Sequence, residues 1–286
     1  MNERGFSDDH IPPRSCGNAR NVAYRRLYAD EMSAPQAQMP SANGIRYATV
    51  CERCNNGRGP DDAAAAEFVE RVRAIERSPV HLSGALRVPA RANQILRAVL
   101  GWFLAARLDE RESATDALLR AYLDGDVLDQ RIVVHFWPYS GEETIIARDF
   151  TSFNVYEGTA IRGTASVIKF PPIAVMLVHG EPLERFPRLD LHSGGARAFE
   201  VLLPWDRATA PAAHWPERPD ETGNVVMGGA EFINAVSSFS GFFGKAMMDE
   251  QRRRAATVHA SRGMNRPQRY AFFTDDGTKR ELYFVR

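Results

Sequence analysis

Near residue 125 the spacing of apolar residues changes from a helical period to short strand-like runs. Before that point Ile95, Val99 and Trp102 recur at helical intervals. After it, runs rich in Val, Ile and Phe are separated by turn residues, which is typical of strands. The chain therefore combines both kinds of element, and its 286 residues allow one large domain or two smaller ones.

The apolar spacing and the turn residues predict individual elements. Helices are predicted over residues 63–75, 91–108 and 113–123, the first capped by Asp61 or Asp62 and the last ended by Gly125. Strands are predicted over residues 131–139, 143–148, 163–170, 173–178 and 198–203. A surface excursion at 204–224, a helix at 231–256 and a closing hairpin around 275–278 complete the expectation.

Composition limits the classes of function. The 36 basic residues are balanced by 36 acidic ones, which argues against a large non-specific nucleic-acid surface. No apolar run approaches the roughly 18–20 residues needed to span a bilayer, and residues 1–9 lack the pattern of a secretory signal. Three cysteines do not make a disulfide framework. A cytoplasmic protein without membrane association is expected.

Two short segments carry groups suited to hydrolysing a phosphodiester bond. His10 is a candidate general base, because an unperturbed histidine has a pKa near neutral pH. The adjacent Asp9 offers a hard carboxylate oxygen for Mg²⁺ or Mn²⁺. Asn43 can orient the imidazole, and Asn55, at a predicted helix start, can give the metal a second oxygen. Together they predict a catalytic site that uses one divalent cation.

Each of these assignments has an alternative. His10 can be a hydrogen-bonding histidine in a loop, and Asn43 can simply form an Asn-Gly turn with Gly44. Asn56 can replace Asn55 as the ligand, because spacing does not separate neighbours at a helix start.

Four arginines lie near these segments and could hold phosphate: Arg14, Arg46, Arg53 and Arg58. Solvated surface positions are expected for most of them. Only Arg14 is taken as a candidate for substrate binding.

The order of the segments resembles the HNH endonuclease family, and most closely its bacterial branch that begins with Asp-His-x-Pro-Pro and ends with Cys-x-x-Cys-Asn. The matching stretches are residues 7–15, Ser-Asp-Asp-His-Ile-Pro-Pro-Arg-Ser, and residues 49–57, Thr-Val-Cys-Glu-Arg-Cys-Asn-Asn-Gly. The resemblance covers residues 5–65, under a quarter of the chain. It implies that His10 is the general base, that Asp9 and Asn55 are metal ligands, and that Asn43 orients the base.

The cysteines depart from the pattern of that family. Many members carry an earlier Cys-x-x-Cys that completes a zinc site with the later pair, but residues 1–8 contain no cysteine. Cys51 and Cys54 are therefore candidate ligands of a structural zinc that lacks its full set of four, with Cys16 as a poorly spaced third. The alternative is that the pair is small, buried and apolar.

The expected fold class is α+β, with a small N-terminal ββα-metal module at residues 1–62. A helical segment at about 63–125 and a mixed, mostly antiparallel sheet domain at about 130–286 follow it. The expected function is metal-dependent hydrolysis of DNA, with a bacterial defence role and residues 63–286 as a sensor or specificity part. A homodimer or a defence-system partner protein is compatible with this. The alternatives are a catalytically degenerate binding or interaction module, and an RNase or toxin.

Overall fold

A large antiparallel sheet with helices packed against it dominates this computed structural model. The structure describes residues 6–18, 22–26, 39–41, 44–78, 85–107, 112–154, 161–183, 200–204, 215–216, 224–228, 235–240, 268–273 and 279–284. In chain order, the strands and helices are β1 (Phe6–His10), β2 (Val22–Arg26), β3 (Met39–Ser41), β4 (Arg46–Cys51), α1 (Glu52–Gly57), α2 (Gly59–Glu76), β5 (Ala85–Pro89), α3 (Ala92–Ala105), α4 (Ala114–Asp124), β6 (Ile132–Pro138), β7 (Thr144–Asn154), β8 (Gly163–Phe170), β9 (Ile173–Gly180), β10 (Glu200–Pro204), β11 (Asn224–Gly228), β12 (Val236–Ser240), β13 (Gln268–Phe273) and β14 (Lys279–Phe284). The predicted α+β class is confirmed.

Strand β7 lies at the centre of the ten-stranded sheet. One of its edges pairs with β8, which continues to β9 and β6. The other edge serves two partners, because β7 is 11 residues long. Residues 144–146 pair with β12, which leads to β2 and β3, and residues 150–154 pair with β11, which leads to β14 and β13. Every one of these pairings is antiparallel, as the sequence predicted for most of the sheet.

The helices pack on this sheet through aromatic and aliphatic side chains. Phe68 of α2 meets Phe136 of β6 edge to face at 6.2 Å between ring centroids, and Trp102 of α3 meets Phe170 of β8 at 5.9 Å. Helix α3 is buried along most of its length. Its apolar residues surround it because α2, α4 and the sheet lie against it. Within the described ranges, no helix combines the length and the apolarity that crossing a membrane requires.

The N-terminal residues form a small two-stranded sheet of their own. Strands β1 and β4 are antiparallel, and α1 follows β4 directly. Between the Ser7–Val50 pair and the Asp9–Tyr47 pair, β4 contains one residue more than β1. Such a bulge re-aims the side chains that follow it.

A buried asparagine fixes the end of β1 against the start of β4. Asn18 donates through Nδ2 to the carbonyls of Pro12 (2.8 Å) and Ile45 (2.9 Å), and its Oδ1 accepts from the Ile45 amide at 2.8 Å. Gly44 has a φ of 80°, and a Cβ there would collide with the Asn18 side chain. These hydrogen bonds hold the end of β1, where His10 lies, next to the start of β4.

The N-terminal segment shares its hydrophobic core with the rest of the molecule. Ile11, Cys16, Ile45 and Tyr47 belong to the cluster that contains the buried residues of α2 and α3. Strands β2 and β3 join the large sheet, and α2 runs across residues 62 and 63. The division of the chain into functional parts at residue 62 stays a prediction.

Two local predictions were wrong. The helix predicted over 231–256 is contradicted at Val236–Ser240, which is strand β12, and residues 241–256 lie outside the described ranges. Helix α2 begins at Gly59 rather than after Asp61 or Asp62, with Arg58 in the N-cap position. Proline in the first turn explains the earlier start, because its fixed φ suits that position and its missing N–H is not needed there.

Candidate functional site

Two of the predicted metal ligands meet in the structure. The Asp9 side chain, near the end of β1, is almost fully buried, and its Oδ2 accepts a hydrogen bond from Nη2 of Arg58. Oδ1 of Asn55, on α1, lies 3.2 Å from the same nitrogen. Since both oxygens are within hydrogen-bonding reach of one atom, they are at most about 6.5 Å apart. The fold therefore brings together a strand carboxylate and a helix amide that are distant in sequence.

The local sequence explains how α1 presents Asn55. Cys51 caps the helix, because its Sγ accepts from the backbone amide of Cys54 at 3.3 Å. Arg58 follows the last turn, and its amide donates to the Asn55 carbonyl at 3.1 Å. Residues three apart share one face of a helix, so the Arg58 side chain reaches back over the Asn55 amide.

Arg58 is not the solvated surface arginine that the sequence suggested. Its side chain is 12% exposed and that of its partner Asp9 is 8% exposed. Gly101 of α3 makes room for it, because a Cβ at that position would lie 2.9 Å from both Cδ and Nη1 of Arg58. Among the described residues, nothing accepts a hydrogen bond from its buried Nε. Arg46, by contrast, does lie on the surface, where it pairs with Asp8 at 2.6 Å.

The predicted general base is the residue that follows Asp9 in the strand. His10 ends β1 opposite Arg46, directly after Asp9, so the two side chains leave opposite faces of the strand. The imidazole is half-buried, and its Nε2 is shielded from solvent. Asn43 lies outside the described residues, whereas Arg14 is exposed in a short 3₁₀ turn, Arg14–Cys16.

A second carboxylate lies near Arg58 and was considered in the sequence only as a helix cap. Asp62 accepts a hydrogen bond from the Trp102 indole at 2.9 Å. Burial raises the pKa of Asp62, and the Trp102 hydrogen bond and the positive charge of Arg58 partly oppose that rise. The spacing of four residues between Arg58 and Asp62 was the available signal, because such residues are neighbours on a helix.

The donor set can be tested against the metal that the resemblance implies. Asp9 and Asn55 supply one carboxylate and one amide oxygen, which are the hard ligands that Mg²⁺ and Mn²⁺ prefer. Both oxygens already share a cation, the Arg58 guanidinium, in the place of an ion. Mg²⁺ is usually held by one or two carboxylates and completes its shell with water and substrate phosphate. The donor types of the two residues suit such a cation, provided that the guanidinium moves away and the two oxygens close around the ion.

The cysteine pair is accessible and close together. The two Sγ atoms of Cys51 and Cys54 are 2.8 Å apart, Cys54 is exposed and Cys51 is half-buried. The alternative of two buried apolar cysteines is therefore wrong. In the part of the chain that the structure describes, no group of three or more His, Cys, Asp or Glu side chains is arranged to hold a metal. The described residues around the pair therefore do not fit a structural zinc, which needs four ligands.

Thiol reactivity should separate the pair from Cys16. Burial raises the pKa of the Cys16 thiol to about 12, and hydrogen bonding to Cys51 raises that of Cys54. The thiolate is the reactive form, so both shifts slow the reaction, but only Cys16 is also buried away from the reagent. We therefore expect the two accessible thiols, Cys51 and Cys54, to react with Ellman's reagent in the native protein. Cys16 should react only after unfolding. A Cys16→Ala variant should keep the native count of two, and rapid reaction of a third native thiol would contradict the buried position.

Comparisons with known proteins give no significant match. No protein-family model matches the chain, and neither a characterised protein nor a solved structure gives a significant match. What the structure offers is the geometry of the site: a buried carboxylate and a helix amide whose oxygens both face the Arg58 guanidinium.

Proposed function

We propose that this protein is a metal-dependent endonuclease that hydrolyses DNA phosphodiester bonds. The observation that supports this most is the convergence of Asp9 and Asn55 on a single cationic nitrogen. A carboxylate at a strand end and an amide on the following helix form a two-oxygen site for one divalent cation. The neighbouring histidine supplies the proton acceptor that hydrolysis requires.

Each residue has a separate task in this proposal. Asp9 and Asn55 would hold the cation, and Mg²⁺ or Mn²⁺ would supply the positive charge that stabilises the leaving oxygen. His10 accepts a proton from the attacking water. Because its Nε2 is shielded from solvent, we assign this step to Nδ1. Arg14 is exposed close to the end of β1 and is a candidate contact for a substrate phosphate.

The wider setting belongs to the same proposal. A site with one metal cuts one strand at a time, so we expect nicking, or double-strand cleavage by a homodimer. A role in bacterial defence, with the remainder of the chain as a sensor or specificity part, follows from the family resemblance alone. The cytoplasmic location follows from the three cysteines, which do not make a disulfide framework.

One observation favours a second function, a catalytically degenerate nucleic-acid-binding or interaction module. Arg58 already supplies the positive charge that a metal would bring to Asp9. A scaffold that has lost its metal would be stabilised by such an internal ion pair. The two functions differ in whether any divalent cation binds at Asp9.

The test is cleavage of supercoiled plasmid by the full chain with Mg²⁺, with Mn²⁺ and with EDTA. The proposal expects nicked or linear product with either metal and none with EDTA. Single-stranded RNA offered in parallel tests the RNase or toxin alternative. Intact plasmid and intact RNA under every condition would favour the degenerate module.

Removing the carboxylate should abolish most of this activity. We expect Asp9→Asn to lower the cleavage rate by about 100-fold or more, because a metal contributes several kcal/mol of charge stabilisation. The neighbouring Asp8 provides a matched control, since it is exposed and pairs with Arg46 on the surface. Asp8→Asn should keep nearly full activity. Equal cleavage rates for the two variants would contradict the assignment of Asp9 as a metal ligand.

A further inference from the structure

We infer that Arg58 is a built-in competitor of the metal, which must leave the Asp9 and Asn55 oxygens before a divalent cation can bind. This inference deepens the proposed function and rests on it for its biological meaning. It concerns how the site is regulated: the protein carries its own removable cation at the position where the metal is needed.

The competition follows from geometry. Nη2 of Arg58 contacts the carboxylate of Asp9 and lies 3.2 Å from the amide oxygen of Asn55. Mg²⁺ needs both oxygens at about 2.0–2.1 Å, with the rest of its octahedral shell free for water or phosphate. A guanidinium nitrogen in contact with the same two oxygens occupies that volume. Its positive charge would also repel the metal strongly at such a distance.

The position of Arg58 is built by the fold and is not a chance surface contact. Arg58 is the residue between α1 and α2, so its backbone is fixed at both sides. Its side chain lies against α3 where Gly101 leaves room, 2.9 Å from where a Cβ would be. A Cβ at Gly101 would therefore force the Arg58 side chain to shift from this position.

The contacts of Arg58 also allow it to leave. The hydrogen bonds described for its guanidinium use a single nitrogen, Nη2. The buried Nε has no acceptor within the described ranges, and an unsatisfied buried donor costs free energy. A metal that replaces the charge beside Asp9 would release the guanidinium to water or to a substrate phosphate, where its whole fork can form hydrogen bonds.

The experiment measures Mn²⁺ binding to the full chain, by the electron paramagnetic resonance signal of free Mn²⁺ and by calorimetry. We expect Arg58→Met to bind Mn²⁺ about tenfold more tightly or better, because a like charge next to the ion is removed. Arg58→Lys should stay close to wild type. Arg53→Met is the matched control, since Arg53 is exposed on α1, and its affinity should not change.

Arg58→Met leaves a buried carboxylate unpaired, which favours unfolding. A second variant therefore tests the same inference without removing the arginine. Gly101→Ala touches neither oxygen and crowds only the guanidinium, so it should also tighten Mn²⁺ binding. Melting temperatures with and without Mn²⁺ give a further readout. The stabilisation by Mn²⁺ should be larger for Arg58→Met than for wild type.

The outcomes distinguish this inference from the proposed function. Unchanged Mn²⁺ affinity in both Arg58→Met and Gly101→Ala, with plasmid still cut, overturns the competition alone. Tighter Mn²⁺ binding by the variants, with plasmid intact in every protein, supports the competition and overturns the nuclease. No Mn²⁺ binding in any of the proteins overturns both.

Discussion

Replacing His10 with alanine should lower the rate of metal-dependent plasmid cleavage by about 10²–10⁴-fold, the usual contribution of a positioned general base. The side chain follows Asp9 on β1 and leaves the opposite face of the strand, so its removal does not touch the ion pair with Arg58. Mn²⁺ affinity should therefore stay at the wild-type value. A loss of rate at constant metal affinity is the signature of a lost base.

Chemical rescue sharpens this prediction. Alanine leaves a gap at the end of β1, and imidazole added to the buffer should restore part of the His10→Ala rate. His179 provides a matched control, because it is another half-buried histidine, with Nδ1 2.8 Å from the Thr115 hydroxyl on α4. His179→Ala should keep the wild-type cleavage rate and should not respond to imidazole.

A fully active His10→Ala protein would contradict the assignment of the base. If that protein still needed Mg²⁺ or Mn²⁺, the metal site would stand and another group would have to accept the proton. If its cleavage did not depend on metal, the metal site would be contradicted as well. Melting curves of both histidine variants establish that the comparison is made between folded proteins.

The apolar spacing of the sequence predicted the elements whose contacts are local. Helix α4, Ala114–Asp124, agrees within one residue with the predicted 113–123, and Gly125 ends it as expected, because a glycine after the last turn is a local signal. Strand β8 has the predicted bounds, Gly163–Phe170. Strand β12 was mistaken for helix, because its Ser237 and Ser238 are buried polar residues that give no strand-like alternation. Only its pairing with β2 and β7 makes it a strand.

The candidate site was predictable in part for the same reason. The two motifs could suggest Asp9 and Asn55, since each lies in a short characteristic stretch of sequence. The burial of Arg58 could not be foreseen, because it depends on Gly101 of α3, which is distant in sequence. A solvated arginine is the ordinary expectation for a charged residue at a helix end, and only tertiary packing reverses it.

Replacing Asp116 with alanine should lower the free energy of unfolding by about 3–5 kcal/mol, the usual cost of breaking a buried ion pair from one side. The Asp116 side chain is 1% exposed, and its Oδ1 accepts a 2.6 Å hydrogen bond from Arg148 of β7, which is 2% exposed. Nη1 of Arg107 lies 3.8 Å from the other carboxylate oxygen. Alanine would leave two cations without the carboxylate that they share.

The same carboxylate also caps its helix, so the two contributions must be separated. Oγ of Ser113 accepts from the Asp116 amide at 3.1 Å, and the Ser113 amide donates to the Asp116 carboxylate at 3.3 Å. Ser113→Ala removes the serine half of this capping box and should cost about 1 kcal/mol. The difference between the two variants, measured by urea unfolding, reports the buried ion pair.

Helix α4 depends on this ion pair because it buries little apolar surface. Of its three buried residues, Thr115, Asp116 and Leu119, two are polar and bond to the sheet. A double variant, Asp116→Leu with Arg148→Met, removes the Asp116–Arg148 pair but leaves Arg107 without that carboxylate. It should therefore recover only part of the lost stability, the part that comes from replacing a buried ion pair by apolar residues. If Asp116→Ala is no less stable than Ser113→Ala, the helix is held by its cap and by Leu119, and the buried ion pair contributes nothing to its attachment.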